Sequence, residues 1–182
     1  MNFCSQCGAK TQFTVPADDN RPRHVCTECQ TIHYENPKII CGCLVTYQGK
    51  VLLCRRAIEP RHGLWTLPAG FMENGETAEE GALRETFEEA MSRPQLKGLY
   101  ALTSIPHISQ VYMIFRAELT QPEFGPGPES LDVELFSPDE IPWDELAFQT
   151  VEKTLKHWVE DLTTQHYPLH SIEIAEPVSA RV

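Results

Sequence analysis

Gly70-Phe71-Met72-Glu73-Asn74-Gly75-Glu76-Thr77-Ala78-Glu79-Glu80-Gly81-Ala82-Leu83-Arg84-Glu85-Thr86-Phe87-Glu88-Glu89-Ala90-Met91-Ser92 is the stretch on which the reading of this chain turns. Asn74-Gly75 marks a turn, Thr77 is a good N-cap, and Glu80 three residues later completes a capping box. A helix follows to about residue 91. Ala82, Leu83, Thr86, Phe87 and Ala90 recur at three- and four-residue spacing as its buried stripe, and Pro94 ends the element. Glu85, Glu88 and Glu89 stand at i, i+3 and i+4, so three carboxylates share one face. Like charges so placed destabilise a helix unless something positive sits on them, and oxygen-only ligands select magnesium or manganese over zinc. Arg84 can pair with Glu88 ahead of it or with Glu80 behind it. Taken alone, three glutamates read more simply as a solvated acidic face.

Outward from the helix, a strand at 64–67 ends in Pro68-Ala69-Gly70. Before it, residues 39–47 and 50–57 flank the turn Gln48-Gly49 and read as a hairpin in which Cys41, Cys43 and Cys54 are small packing residues. After the helix come strands at 98–105 and 111–119, a loop at 122–128 too rich in proline and glycine for regular structure, and a short strand at 133–136. Phe148, Val151, Leu155, Trp158, Val159 and Leu162 mark a second amphipathic helix. Beyond it the tail offers only a docked strand or partial disorder. At the other end, Cys4/Cys7 and Cys26/Cys29 are two Cys-x-x-Cys pairs separated by 18 residues of polar, turn-forming sequence. Thirty residues with so few apolar side chains cannot fold on burial alone, and the spacing is that of a four-thiolate zinc site. His24 and His33 stand near enough to replace one thiolate, though the simpler reading keeps them on the surface. Asn36-Pro37 is the hinge. The domains expected are a zinc ribbon at 1–36, a catalytic domain at 37–165 and a tail at 166–182.

The balance of 15 basic against 26 acidic residues, a net charge of −11, argues against a nucleic-acid partner, which depends on many Lys and Arg contacts to phosphate. It leaves small phosphorylated substrates open, because a metal ion reverses the local field of an acidic site. Seven cysteines without a secretion signal fit metal ligation and buried thiols better than a disulfide framework. No apolar run approaches a membrane span, and the expected location is cytoplasmic, an organelle only if a transit peptide is missing from the sequence.

Gly70, Glu76, Arg84-Glu85 and Glu88-Glu89, six fixed positions over twenty residues, resemble the Nudix box of the Nudix hydrolase superfamily. Two positions depart from that pattern: Met91 stands where a glycine is expected, and Ser92 where an aliphatic residue is. Both lie at the helix exit. The resemblance implies an α/β class fold, an α/β/α sandwich around a mixed sheet, behind a small zinc ribbon. The NADH pyrophosphatases also carry a four-cysteine ribbon, but their Ser-Gln-Pro-Trp-Pro-Phe stretch is replaced here by Ser104-Ile105-Pro106-His107. The chain looks more like the branch holding the plant chloroplast FAD and ADP-ribose pyrophosphatases, through Asn36-Pro37, the run His62 to Gly70, Pro126-Gly127-Pro128-Glu129-Ser130-Leu131 and Ile141-Pro142.

By that resemblance the chain is a homodimeric Mg2+- or Mn2+-dependent pyrophosphatase. It would cut ADP-ribose, FAD or both into AMP and a phosphate monoester, with structural Zn2+ on Cys4, Cys7, Cys26 and Cys29. Glu85 and Glu89 are the implied principal metal ligands, Glu88 shares a second ion, and the Ala69 carbonyl completes the site. Glu76 orients the loop or a metal-bound water, and Arg84 is an internal salt-bridge partner. Glu129 leads as general base, with Glu134 and Glu88 open. Arg55, Arg56 and Arg61 could grip phosphates, and an adenine could stack on Tyr34, Tyr47, Trp65 or Phe71. Cleavage of NADH, oxidised nucleotides or RNA caps is the enzymatic alternative, and a non-catalytic nucleotide sensor joined to a ribbon-type binding module is the other.

Overall fold

Strand-forming residues alternate with turns from the first cysteine pair to just past the second. In a computed structural model of the chain, which describes residues 1–175, they fold as an antiparallel sheet of β1 (Thr11–Thr14), β2 (Arg23–Cys26) and β3 (Ile32–His33), in that order. This first compact unit is Met1–Pro37, and a second begins at Lys38. The buried apolar side chains of the first are Cys4, Val25 and Cys26. So small a set cannot hold such a unit together without a further cross-link.

The second unit opens with β4 (Lys38–Tyr47) and β5 (Lys50–Arg56) around Gln48 and Gly49, both at positive φ, as a two-residue hairpin turn of the primed kind requires. The hairpin pairs only next to its turn, at Thr46↔Val51 and Tyr47↔Lys50. Beyond that the strands diverge. β6 (Trp65–Thr66) pairs with β5 and β7 (Ala69–Phe71) with β4, so residues 65–71 fill the fork. Gly42 permits this closeness, because a Cβ there would collide with the Pro68 carbonyl and Ala69.

Helix α1 (Ala78–Ala90) follows, then β8 (Gln95–Ile105), β9 (Gln110–Glu118), β10 (Ser130–Phe136), α2 (Gln149–Thr164) and β11 (His170–Glu173). The sheet runs β10-β5-β4-β9-β8-β11. It is mixed: β4/β9 and β8/β11 are parallel, while β8/β9 and β5/β10 are antiparallel. Alternate residues of each central strand serve opposite faces. Leu44, Val51 and Leu53 pack with Leu155 and Trp158 of α2, whereas Cys43, Val45, Leu52 and Cys54 pack with Ala82 and Ala90 of α1. The α/β/α sandwich follows from that alternation, and Cys41, Cys43 and Cys54 are buried within it.

Beyond shifts of a residue or two, three boundaries differ from the sequence reading. β8 starts at Gln95 because Gly98, read as a strand start, lies at one of two bulges within it. β10 starts at Ser130, again across a register shift. The tail, set apart at 166–182, contributes β11 to the main sheet, and only Ile172 of its four residues is buried, too little for a periodic signal. The remainder of that tail, 176–182, lies outside the described residues.

Candidate active site

Thr77 Oγ1 accepts the Glu80 N–H at 3.1 Å and the Glu80 carboxylate accepts the Thr77 N–H at 2.8 Å, so α1 begins on its capping box. The charge that its acidic face needs is supplied first by the helix itself. Arg84 donates to Glu76 at 2.8 and 3.1 Å, to Glu85 at 2.7 Å, to Glu88 at 3.1 Å and to the Phe71 carbonyl at 3.1 Å. No Arg84–Glu80 pair forms among the described ion pairs, since Glu80 is spent on the cap. Glu76 also accepts the Glu73 N–H at 2.6 Å, and the Arg84 guanidinium with that bond holds its carboxyl down to about 2. Glu76 therefore fixes the entry loop to the helix.

Gly70 has no Cβ because the Glu85 carboxylate lies where one would go. Burial pushes the Glu85 carboxyl above its ordinary range against the pull of Arg84, and Glu88 and Glu129 add to the rise. Glu89 is 7% exposed, and its Oε2 accepts the Ala69 N–H at 3.3 Å. Burial, with Glu85 beside it, raises its carboxyl to about 8. A buried carboxyl, Glu89, without a salt-bridge partner among the described ion pairs, and a half-buried one, Glu85, paired with Arg84, form a hard-oxygen donor set short of positive charge, which fits a divalent magnesium-type cation. Glu88 is turned outward toward Arg84, with 55% of its side chain exposed.

Glu129 arrives on the loop before β10. That loop is tied to the end of α1: Gly125 N–H donates to the Ala90 carbonyl at 2.9 Å and Gly127 N–H to the Glu89 carbonyl at 3.0 Å. A Cβ on Gly127 would strike the Glu88 carbonyl. Met91 closes the helix in the left-handed conformation, φ 50°, the geometry a glycine adopts without strain.

A cavity of about 1150 Å3 takes in Ala69, Arg56, Arg84, Glu85, Glu88, Glu89 and Glu129. Glu76, Arg55, Arg61 and Glu134 do not line it. Arg55 instead donates to the Gly63 carbonyl at 2.9 Å, and Glu134 is on β10 in the exposed register. Of the aromatic candidates only Phe71 lines the cavity. Trp65 is buried against Phe136, Tyr47 lies elsewhere on the second unit, and Tyr34 belongs to the first unit, beneath Arg23. Sequence reasoning missed Tyr112, His107, Phe148 and Ile174, which also line the cavity. Only the alternation of β9, which sends Tyr112 and Ile114 to one face, carried a usable signal.

In the first unit the four cysteine sulfurs lie within 4.8 Å of one another, with Cys4–Cys29 at 3.7 Å and Cys7–Cys26 at 3.4 Å. Tetrahedral zinc with bonds of about 2.3 Å needs sulfurs roughly 3.8 Å apart, so the set fits. Backbone N–H groups of Gln6, Glu28 and Cys29 point at Cys4 and Cys26 Sγ at 3.4 Å, as at thiolate sites. Neither histidine is a free surface residue. His33 Nε2 stands 3.3 Å from Cys4 Sγ, and His24 packs on Phe13 and meets the N-terminal amine at 3.0 Å.

Residues 2–35 match the Nudix N-terminal zinc-ribbon family model and residues 37–161 the NUDIX domain model. A crystal structure of a NUDIX hydrolase from Nitrosomonas europaea is 51% identical, covers 97% of this chain and 100% of that one, and superposes with a TM-score of 0.93. The NAD-capped RNA hydrolase NudC of Vibrio parahaemolyticus is 33% identical over 147 residues, which are 78% of this chain and 53% of that protein. This chain thus spans about half the length of that relative. The ADP-ribose pyrophosphatase of Methanocaldococcus jannaschii is 30% identical over 132 residues, 69% of this chain and 75% of that protein.

Proposed function

Since the chain belongs to the NUDIX domain family and carries that family's zinc ribbon ahead of the domain, we propose that it hydrolyses the diphosphate bridge of a nucleoside diphosphate linked to a second moiety, ADP-ribose first and FAD beside it. The observation that carries this reading is the pair Glu89, buried and without a salt-bridge partner among the described ion pairs, and Glu85, half-buried beside Arg84, in a cavity that also takes in Arg56 and Glu129. Glu85, Glu89 and the Ala69 carbonyl would hold magnesium or manganese, with Glu88 sharing a second ion. The metal supplies charge neutralisation on the diphosphate and a lowered pKa for water. Arg84 keeps Glu85 in place, and Arg56 offers the diphosphate a forked cation. Glu129 accepts the proton as a water oxygen bonds to one phosphorus. The bond from that phosphorus to the bridging oxygen breaks, and AMP leaves with a phosphate monoester.

The M. jannaschii relative's name supports ADP-ribose, and the Vibrio relative's name supports a second reading in which an NAD-type dinucleotide takes its place. The test is a panel of ADP-ribose, FAD, NADH, diadenosine polyphosphates and oxidised triphosphates with magnesium and product identification. AMP release from ADP-ribose at the highest kcat/KM is expected, and no turnover of any member sinks the proposal. The working form is proposed to be a cytoplasmic homodimer. A monomer mass by light scattering at micromolar concentration refutes the dimer. No helix among the described residues is long and apolar enough to cross a membrane.

A further inference from the structure

The last described stretch of the chain forms part of the same cavity. β11 adds to the sheet in parallel with β8, and Ile174 N–H continues the ladder to the Ser104 carbonyl at 3.0 Å. Ile174, 8% exposed, and Ala175 then line the cavity together with Ile105, Ile108 and Tyr112. Helix α2 grips this segment with three side chains four residues apart, hence on one face. Lys153 Nζ donates to the Glu173 carbonyl at 3.1 Å. The His157 ring stacks on His170, centroids 4.1 Å apart at 14°. Asp161 sits 2.8 Å from His170 Nε2 and accepts the Tyr100 hydroxyl at 2.7 Å, which ties α2, β8 and β11 at one carboxylate. None of these residues belongs to the acidic helix face or to the metal-type donors, and burying Asp161 with two partners is an arrangement that holds a segment in one position.

We propose that residues 170–175 are a specificity wall of the substrate cavity, in which Ile174 and Ala175 contact an uncharged ring of the nucleotide conjugate and Asp161–His170 holds the wall in place. The ring assignment follows from chemistry: Ile105, Ile108, Tyr112 and Ile174 offer apolar surface and an aromatic face, and the lining that β8, β9, the turn between them and the segment after β11 contribute holds one imidazole, His107, but no Lys or Arg for a phosphate. His170 is then a positioning residue, acting through the backbone of the strand it begins. The inference rests on the nucleotide-conjugate reading, and its test separates the two.

Wild type, Ile174→Trp, Ala175→Trp, His170→Ala and His170→Gln are compared in turnover of ADP-ribose, FAD and NADH and in AMP binding by calorimetry, with thermal melting as the check on folding. Ala175 is exposed, so its substitution is compatible with the fold even if Ile174→Trp is not. Ala175→Trp is expected to raise KM about tenfold and reorder the three substrates while kcat stays within about threefold. His170→Ala should raise KM likewise, and His170→Gln, which restores an N–H donor toward Asp161, should recover it. Folded variants that keep the wild-type KM values and AMP affinity overturn the wall. A wild type that turns over nothing, yet binds AMP with an affinity that Ala175→Trp destroys, keeps the wall and removes the proposed reaction. Neither turnover nor AMP binding by wild type removes both.

Discussion

Glu89 concentrates the energetics of the site. Its carboxyl is raised from 4.5 to about 8 by burial, with Glu85 adding to the effect. A raised carboxyl is favoured by the fold in its neutral form, so its stabilising contribution is complete below about pH 4.5 and is lost as pH climbs through about 8. Metal-free protein should therefore melt at progressively lower temperature across that window, and Glu89→Gln should flatten the curve. Added magnesium should raise the melting temperature more at pH 8 than at pH 6, because the cation favours the ionised form. Equal magnesium shifts at both values would contradict the assignment. Glu85 differs, since its Oε1 accepts from Arg84 at 2.7 Å and its removal also breaks that bridge. In turnover, Glu85→Gln and Glu89→Gln should each cost roughly a thousandfold, several kcal/mol of transition-state stabilisation. Glu80→Gln, on the same helix but in the capping box, should cost little rate. Near-normal hydrolysis by both cavity variants would return the acidic face to a merely solvated one.

Helix α1 is held at both ends by its neighbours, and the two ends respond differently to change. At the exit, Met91 takes φ 50° where a glycine pays no steric cost. Met91→Gly should raise unfolding stability by about 1 kcal/mol, measured by urea titration. No gain would mean that Met91's contacts with the cavity lining offset the backbone strain. Two residues' worth of loop N–H groups, from Gly125 and Gly127, satisfy the final carbonyls of the helix. Gly127→Ala places a methyl against the Glu88 carbonyl and should cost about 1–3 kcal/mol. Because the same loop carries Glu129, that variant should also lose kcat more than KM. A variant destabilised to this extent with unchanged kcat would separate the loop's packing from catalysis and count against Glu129 as the base.

Across the whole molecule the two units rely on different physics. The first, with three buried apolar side chains, depends on its thiolates, so about one zinc per chain should be found by elemental analysis. Cys26→Ser should abolish hydrogen-exchange protection of β1 to β3 while the sheet from Lys38 onward keeps its own. Zinc-free protein with a fully protected ribbon would be the contrary result. The second unit has two hydrophobic clusters on opposite faces of one sheet and needs no such cross-link. How much of this was legible in the sequence follows from where each signal resides. Arg84, Glu85, Glu88 and Glu89 lie on one helix, where three- and four-residue spacing brings them to a common face, and Gly70 and Glu76 stand on β7 and in the turn just ahead of the helix; the cysteine pairs are likewise read from spacing. Arg56, Tyr112, Phe148 and Ile174 come from β5, β9, the entry to α2 and the segment after β11, elements that meet only when the sheet forms. Nothing local distinguishes Arg56 from Arg55: each donates to a backbone carbonyl at 2.9 Å, of Pro60 and Gly63 respectively, and of the two only Arg56 lines the cavity. Sequence by itself determined the acidic helix and the two cysteine pairs of the zinc-type ribbon, because each depends on neighbours a few residues apart, while the sandwich was implied by the resemblance that the helix and the turn before it carry. Which arginine, which aromatic ring and which stretch of tail enclose the cavity was decided by tertiary structure alone, through the forked hairpin and the parallel docking of β11, since those contacts join residues whose separation along the chain carries no period.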